Sequence, residues 1–417
     1  MMGKMSIDIE GVIKNKSIIS HYQPIVSVLK GEIVGFEALS RGRCLDNKDH
    51  IISPNQLFLE AHRMSRAVEL DRLCRDLSLK CYCEFYRYNE AVIGQSLLFV
   101  NIDISIIDKG IVGSGYLAQS VSSLALKPQN IVLEILESQV QDIEALKRFV
   151  TIHREKGFLI ALDDVGSGYS NLDRIPMLKP DIIKIDKGLI DGLDGEFYKQ
   201  EVFRSLSRLA KKLGSLVVAE GIETLEQAIA ALELGADMLQ GYYFSRPQED
   251  IKELYLPTTM QIEQTGEAFR KAMMKKLRSK RIEYETYDFI VTQVIDGLES
   301  TDEDKFDDIL REFTQVFLNL ECMYILNAQG VQVSSTIFAE QRITEHHNHV
   351  YKAALKGTDH SIKRYYLALS TGQNKYITDS YVSLASGNLC VTISTGFTGL
   401  KAEKYILCVD LYPQRYT

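Results

Sequence analysis

The chain has 417 residues, more than one ordinary hydrophobic core supports, so two domains are expected. Its 45% hydrophobic and 25% charged residues are those of a globular protein, which excludes disordered and fibrous classes. The formal charge of −8 argues against a DNA, RNA or lipid-surface binder, yet leaves room for a small anion held at one local site. The seven cysteines (44, 74, 81, 83, 322, 390 and 408) are odd in number and thinly spread. Cys81-Tyr82-Cys83 has neither the spacing nor the second pair of a zinc site, so reduced thiols in a reducing cytosol are expected. No apolar run has the length of a signal peptide or a membrane span, and the expected location is the cytoplasm.

From residue 18 to about 245, short apolar runs recur at 33–39, 97–102, 131–136, 159–165, 182–185, 216–219 and 238–244. They are short and rich in Val and Ile, so they read as buried strands. Helical periods lie between them, for example at 139–156 and at 198–213, the latter stopped by Gly214. Seven or eight alternating units in about 230 residues fit a closed parallel barrel better than an open sheet. The glycines of Asp164-Val165-Gly166-Ser167-Gly168-Tyr169-Ser170 match neither a dinucleotide fingerprint nor a phosphate-binding loop.

Beyond residue 250 the rhythm changes. Residues 261–298 are helical in pattern, with a basic stretch at 270–281 that reads as a solvated face. A helix at 304–320 leads into strand-like runs at 323–326, 331–335, 376–382, 389–395 and 405–411, broken by Gly330, Gly372, Gly387 and Gly399. The expected division is a barrel domain at 1–255, a helical connector at 256–298 and an α+β domain at 299–417. His346-His347-Asn348-His349 lies in a polar stretch and reads as a solvated loop.

Polar residues stand where the strand runs end: Glu37, Asn101, Glu134, Asp163-Asp164, Lys184, Glu220 and Gln240. In a parallel barrel those ends meet at one mouth. Carboxylates gathered there repel one another unless hard cations such as Mg²⁺ or Mn²⁺ join them, and Asp163 with Asp164 could bridge two ions. Two ions in one mouth suit in-line displacement at phosphorus.

With these residues placed, the resemblance is specific. Residues 18–250 resemble an EAL domain throughout: Tyr22-Gln23-Pro24-Ile25, Glu37-Ala38-Leu39-Ser40-Arg41, Val100-Asn101 and Leu133-Glu134-Ile135-Leu136-Glu137 stand in the family's order. Asp163-Asp164-Val165-Gly166-Ser167-Gly168, Lys184-Ile185-Asp186, Ala219-Glu220-Gly221-Ile222-Glu223-Thr224 and Gln240-Gly241-Tyr242 continue it. The resemblance implies a modified TIM (β/α)8 barrel with one antiparallel strand, cleaving cyclic di-GMP to linear pGpG with two Mg²⁺ or Mn²⁺ ions. It further implies that Glu37, Asn101, Glu134, Asp163 and Asp164 hold metal, that Glu220 is the general base or a ligand of the nucleophilic water, and that Lys184 orients water or phosphate. Gln23, Arg41, Gln240, Glu223, Arg246 and Pro247 would bind substrate, and Glu137 would steady the loop after Asp163, near a dimer contact. Leu136, Val165 and Ser167 stand where the family usually has Thr, Phe and Thr, which touches the packing of that loop rather than the ligands.

The segments around Gly357–Ser361, Tyr365-Tyr366, Tyr381–Ser383 and Gly387–Ile393 resemble a PAS-like or Cache-like module, implying a regulatory or dimerisation role with an unidentified small ligand or none. The implied partners are cyclic di-GMP and a second copy of the chain. A catalytically silent cyclic di-GMP receptor is the competing reading.

Overall fold

In a computed structural model the protein is described over residues 7–44, 51–88, 96–103, 115–136, 142–167, 173–317, 319–339 and 351–413. Glu137, residues 168–172 and the histidine-rich stretch at 346–349 lie outside the described residues. The chain divides into two compact units, 1–274 and 275–417.

The first unit is built on β1 (Ile18–Ser27), β2 (Glu32–Arg43), β3 (Ile51–Ile52), β4 (Leu97–Ile102), β5 (Ile131–Leu136), β6 (Leu159–Val165), β7 (Ile182–Ile185), β8 (Leu216–Ala219) and β9 (Met238–Leu239). Strands β2, β4, β5, β6, β7, β8 and β9 run parallel in that order. The sheet closes through β1, which is antiparallel to both β2 and β9. The result is the expected eight-stranded barrel with one antiparallel strand, with β3 added at the end of β2. β1 contains the Tyr22-Gln23-Pro24 motif but was not among the predicted runs. β9 is two residues long instead of spanning 238–244: beyond it the chain turns, the Phe244 and Ser245 amides donating to the Gly241 carbonyl, and Gly241 lies so close to the Ile222 backbone that a Cβ would overlap it.

Side chains alternate across every barrel strand. Outward residues such as Val100, Leu133, Leu162, Ile183 and Val217 are buried with Leu146, Phe149, Phe203 and Ala228 from the surrounding helices. Inward residues form one apolar layer: Ile25, Phe99, Val132, Ala161, Ile182, Val218 and Met238. One step of two residues towards the mouth, the same strands and their immediate ends present Gln23, Asn101, Glu134, Asp163, Lys184, Glu220 and Gln240. The antiparallel β1 obeys the same rule in reverse, with Gln23 preceding Ile25. The apolar layer therefore plugs the barrel, and a polar layer sits directly above it.

Helix Ile251–Glu299 begins in the first unit and ends in the second. The second unit is an α+β fold with β10 (Leu320–Asn327), β11 (Ile337–Phe338), β12 (Lys375–Ile377), β13 (Tyr381–Val382), β14 (Leu389–Thr398) and β15 (Lys404–Leu411). Its sheet is antiparallel, in the order β11-β10-β15-β14-β12, and β13 pairs with β14. The helix predicted at 304–320 spans Phe306–Val316. The run at 331–335 makes isolated bridges rather than a strand: the Asn327 side chain accepts from the Gln329 and Val331 amides and turns the chain there.

One face of this sheet packs on Ile290, Val294, Leu298, Phe306 and Leu310. The opposite face buries polar groups. Asp410, 3% exposed, accepts from Thr392 Oγ1 at 2.6 Å. Burial pushes its carboxyl up to about 6, while burial and the nearby Asp410 charge push Glu321 up to about 7. A carboxyl raised above its unfolded value contributes full stability below the unfolded value and loses it as pH rises through the folded one. Through Asp410 alone the second unit should therefore lose about 2–3 kcal/mol between pH 4 and pH 7, and Asp410→Asn should flatten that part of the profile. Urea midpoints read by pulsed labelling of the buried Cys408 thiol check this; an unchanged pH slope in the variant contradicts it.

Candidate active site

Lys184 sits at the centre of the polar layer, wholly buried in β7. Its Nζ lies 2.5 Å from Glu134 Oε1, 2.6 Å from Glu220 Oε1, 3.2 Å from Asp163 Oδ1 and 3.3 Å from Glu37 Oε2. Asn101 Nδ2 donates to Glu37 Oε1 at 3.1 Å and to Glu134 Oε2 at 3.0 Å. Gln240 Nε2 donates to Glu37 Oε2 at 2.6 Å and to Gln23 Oε1 at 3.1 Å, while Gln23 Nε2 donates to the Ser245 carbonyl. Eight residues from eight strands or strand ends thus form one connected set.

Asp164 completes it by a different route. The β6–β7 register shifts between Leu162 and Val165, and Asp164 takes φ +56°, a left-handed conformation uncommon outside glycine. That bulge lets two consecutive aspartates face one mouth where a regular strand would turn the second outward. Carboxylate oxygens of Asp163, Asp164 and Glu220 all lie within 4.8 Å of one another.

The charges show what the set can hold. Burial raises the Lys184 ammonium's cost, but the four carboxylates outweigh it and hold its pKa well above the ordinary value. Burial is the largest influence on Glu37 too, yet Lys184, Gln240 and Asn101 overcome it and keep that carboxyl low. Burial and mutual repulsion push Glu134, Asp163 and Glu220 up, and bring Asp164 to about 6. Fully ionised, five carboxylates against one ammonium leave four negative charges, which two divalent cations would cancel. Glu134 Oε1 and Asp163 Oδ1 touch the ammonium but accept no aligned hydrogen bond, so each has a lone pair to offer. An all-oxygen donor set of this kind fits hard divalent cations.

The remaining expected residues are spread more widely. Arg41, on β2, donates to the Ser40 carbonyl; burial lowers its pKa against the pull of Glu37. Arg246 stacks over the Tyr242 ring at 4.6 Å, and the adjacent Pro247 is half-buried. Glu223 pairs with Lys187 and is not part of the buried set.

A pocket of about 680 Å³ opens above Glu37, Asn101, Asp163 and Asp164. Its far side is helix Pro54–Arg63, with Asn55, Phe58, Leu59 and His62, together with Asp71, Arg75 and Asp103. None of these was identified from the sequence. The available signal was local: Ser53 and Gln56 form a capping box with Pro54 in the first turn, marking a helix start. Nothing in that signal says the helix faces the mouth. Among the described residues, no helix is long and apolar enough to cross a membrane.

The EAL domain family matches residues 8–247. The probable cyclic di-GMP phosphodiesterase PdeB of Escherichia coli is 31% identical over 244 residues, 58% of this chain and 45% of PdeB, so the match spans less than half of that relative. The uncharacterized EAL-domain protein YkuI of Bacillus subtilis is 25% identical over 386 residues, 90% of this chain and 91% of its own. The crystal structure of YkuI with substrate c-di-GMP and calcium superposes with a TM-score of 0.80 over 99% of this chain and 100% of that one. The manganese and cyclic di-GMP complex of BlrP1 from Klebsiella pneumoniae, 27% identical, covers 56% of each chain with a TM-score of 0.50. Cyclic di-GMP and divalent metal thus occur together in solved structures of this fold. With a barrel closed by one antiparallel strand and a family match over more than half of its length, this chain belongs to the EAL domain family.

Proposed function

We propose that this chain hydrolyses cyclic di-GMP to linear pGpG in a divalent-metal-dependent reaction. The observation that carries the reading is the set of Glu37, Asn101, Glu134, Asp163 and Glu220 gathered around the buried Lys184, with Asp164 turned into the same mouth. Glu37, Asn101, Glu134, Asp163 and Asp164 would hold the metal. When bound, two Mg²⁺ or Mn²⁺ ions would supply Lewis-acid chemistry, lowering the pKa of water and neutralising phosphate charge. Glu220 takes the proton of the attacking water, and its ion pair with Lys184 keeps its carboxylate aimed into the mouth. Lys184 holds the carboxylates in place and donates to the water or the phosphate. Gln23 and Arg41 bind the phosphate–ribose frame, with Gln240 fixing Gln23. Arg246, stacked on Tyr242, and Pro247 meet a guanine, and Glu223 borders the site.

The second unit, reached through helix Ile251–Glu299, is the regulatory or dimerisation module in this reading, and the active form is a homodimer in the cytoplasm. The likeness to YkuI over nearly the whole chain supports only the pairing of such a second unit with the barrel.

The test is product formation beside binding. Purified chain with Mg²⁺ or Mn²⁺ should convert cyclic di-GMP to pGpG, and Ca²⁺ should support binding with far slower turnover, since its larger and more flexible coordination fits such a site poorly. Tight binding with no product in any metal would remove the enzyme and leave a receptor.

A further inference from the structure

The pocket has two chemically different sides. One is the carboxylate set; the other is helix Pro54–Arg63, whose Phe58 and Leu59 line the opening. Leu59 is 67% exposed, although it is a large apolar side chain. The beginning of this helix is well fixed: β3 pairs with β2, Ser53 caps the first turn, and Leu57 and Ala61 are fully buried beneath it. Its far end is tied to the mouth by His62, whose Nε2 lies 3.0 Å from Asp103 Oδ2.

Asp103 is itself held. The β4–β5 ladder ends at Ile102, paired with Ile135, so the next amide along the chain has no strand to bond to. Asp71 supplies the acceptor: its Oδ1 takes the Asp103 N–H at 3.2 Å. Asp71 is only 2% exposed, and Arg75, one helical turn on, pairs with its other oxygen. Arg75, Asp71, Asp103 and His62 therefore run as a chain from helix Ala67–Tyr88, across the end of β4, to the helix that walls the pocket. Two residues before Asp103 on the same strand is Asn101, which bridges Glu37 and Glu134.

We propose that His62 is a positioning residue: clasped to the Asp71-anchored Asp103, it holds Phe58 and Leu59 as an apolar wall against one base of the bound cyclic dinucleotide. The inference rests on the cyclic di-GMP reading and adds a specificity element on the side away from the carboxylates. A cyclic dinucleotide presents what the two sides offer to receive: an anionic phosphate frame for cations and donors, and flat heteroaromatic faces for an apolar surface. The wall has to be fixed because a base contact is lost when its partner surface moves by an ångström or so.

The experiment uses the full chain with His62→Ala and His62→Gln, the second keeping an N–H donor within reach of Asp103. Cyclic di-GMP affinity is measured by calorimetry in Ca²⁺, and KM and kcat are measured in Mg²⁺. His62→Ala should raise Kd and KM about tenfold with kcat and the Mg²⁺ activation constant unchanged, and His62→Gln should recover most of the loss. Turnover of methyl p-nitrophenyl phosphate, a phosphodiester without a nucleobase, should be the same in all three. A His62→Ala protein that binds like the wild type sinks the clasp alone, as does equal loss in both variants or equal loss on the base-free ester. A wild-type chain that binds no cyclic di-GMP brings down the functional reading with it.

Discussion

Replacing Lys184 by methionine is expected to leave a protein that folds poorly without divalent metal. The ammonium is wholly buried and meets four carboxylates within 3.3 Å. Removing one partner of a buried ionic group exposes the others to uncompensated repulsion, at a cost of about 3–5 kcal/mol. Added Mg²⁺ should restore much of the lost stability, because the cations take over the neutralising role. Turnover should still fall roughly 100- to 1,000-fold, since a fixed donor at the reacting centre has gone. Thermal melts in chelator and in a Mg²⁺ series, run beside the pGpG assay, read both effects. A variant as stable as the wild type in chelator would show that the lysine is not the electrostatic hub of the barrel.

The second large effect is expected at Glu220. Its side chain follows β8 at the rim of the buried set and is 17% exposed, which places it nearer to arriving water than Glu134. Glu220→Gln keeps the shape and an oxygen facing Lys184 but removes the base. Turnover should drop about 100- to 10,000-fold with cyclic di-GMP affinity within a few-fold of the wild type. Equilibrium binding and single-turnover rates on the same preparation separate the two. Parallel loss of binding would move Glu220 from the chemistry into the ligand-holding set.

Much of the barrel was legible in the chain. Runs such as Ile131–Leu136, Ile182–Ile185 and Leu216–Ala219 match the observed strands residue for residue, because buried parallel strands are short continuous apolar segments. The second unit was read less well. Its strands are antiparallel and broken by side-chain-stabilised turns such as that at Asn327, so a run like 331–335 alternates apolar and polar residues at its start without being a strand. At the site, the pairing of Glu223 with Lys187 is likewise not written in its motif.

By itself, the sequence determined which chemical groups stand at the strand ends and that they are mostly acids, because strand ends are set by local runs of apolar residues. Only the tertiary structure decided how those groups meet. Closure of the barrel puts Gln23 of an antiparallel strand level with Gln240 and Glu37, and it stacks the inward side chains into an apolar and a polar layer. It also makes Lys184 the centre of the set, turns Asp164 inward through a left-handed residue, and brings Asp103 at the end of β4 against Asp71 and His62 of two earlier helices. The physical reason is range: apolar periodicity is written in neighbouring residues, whereas charge compensation is settled between residues that meet only when the sheet closes.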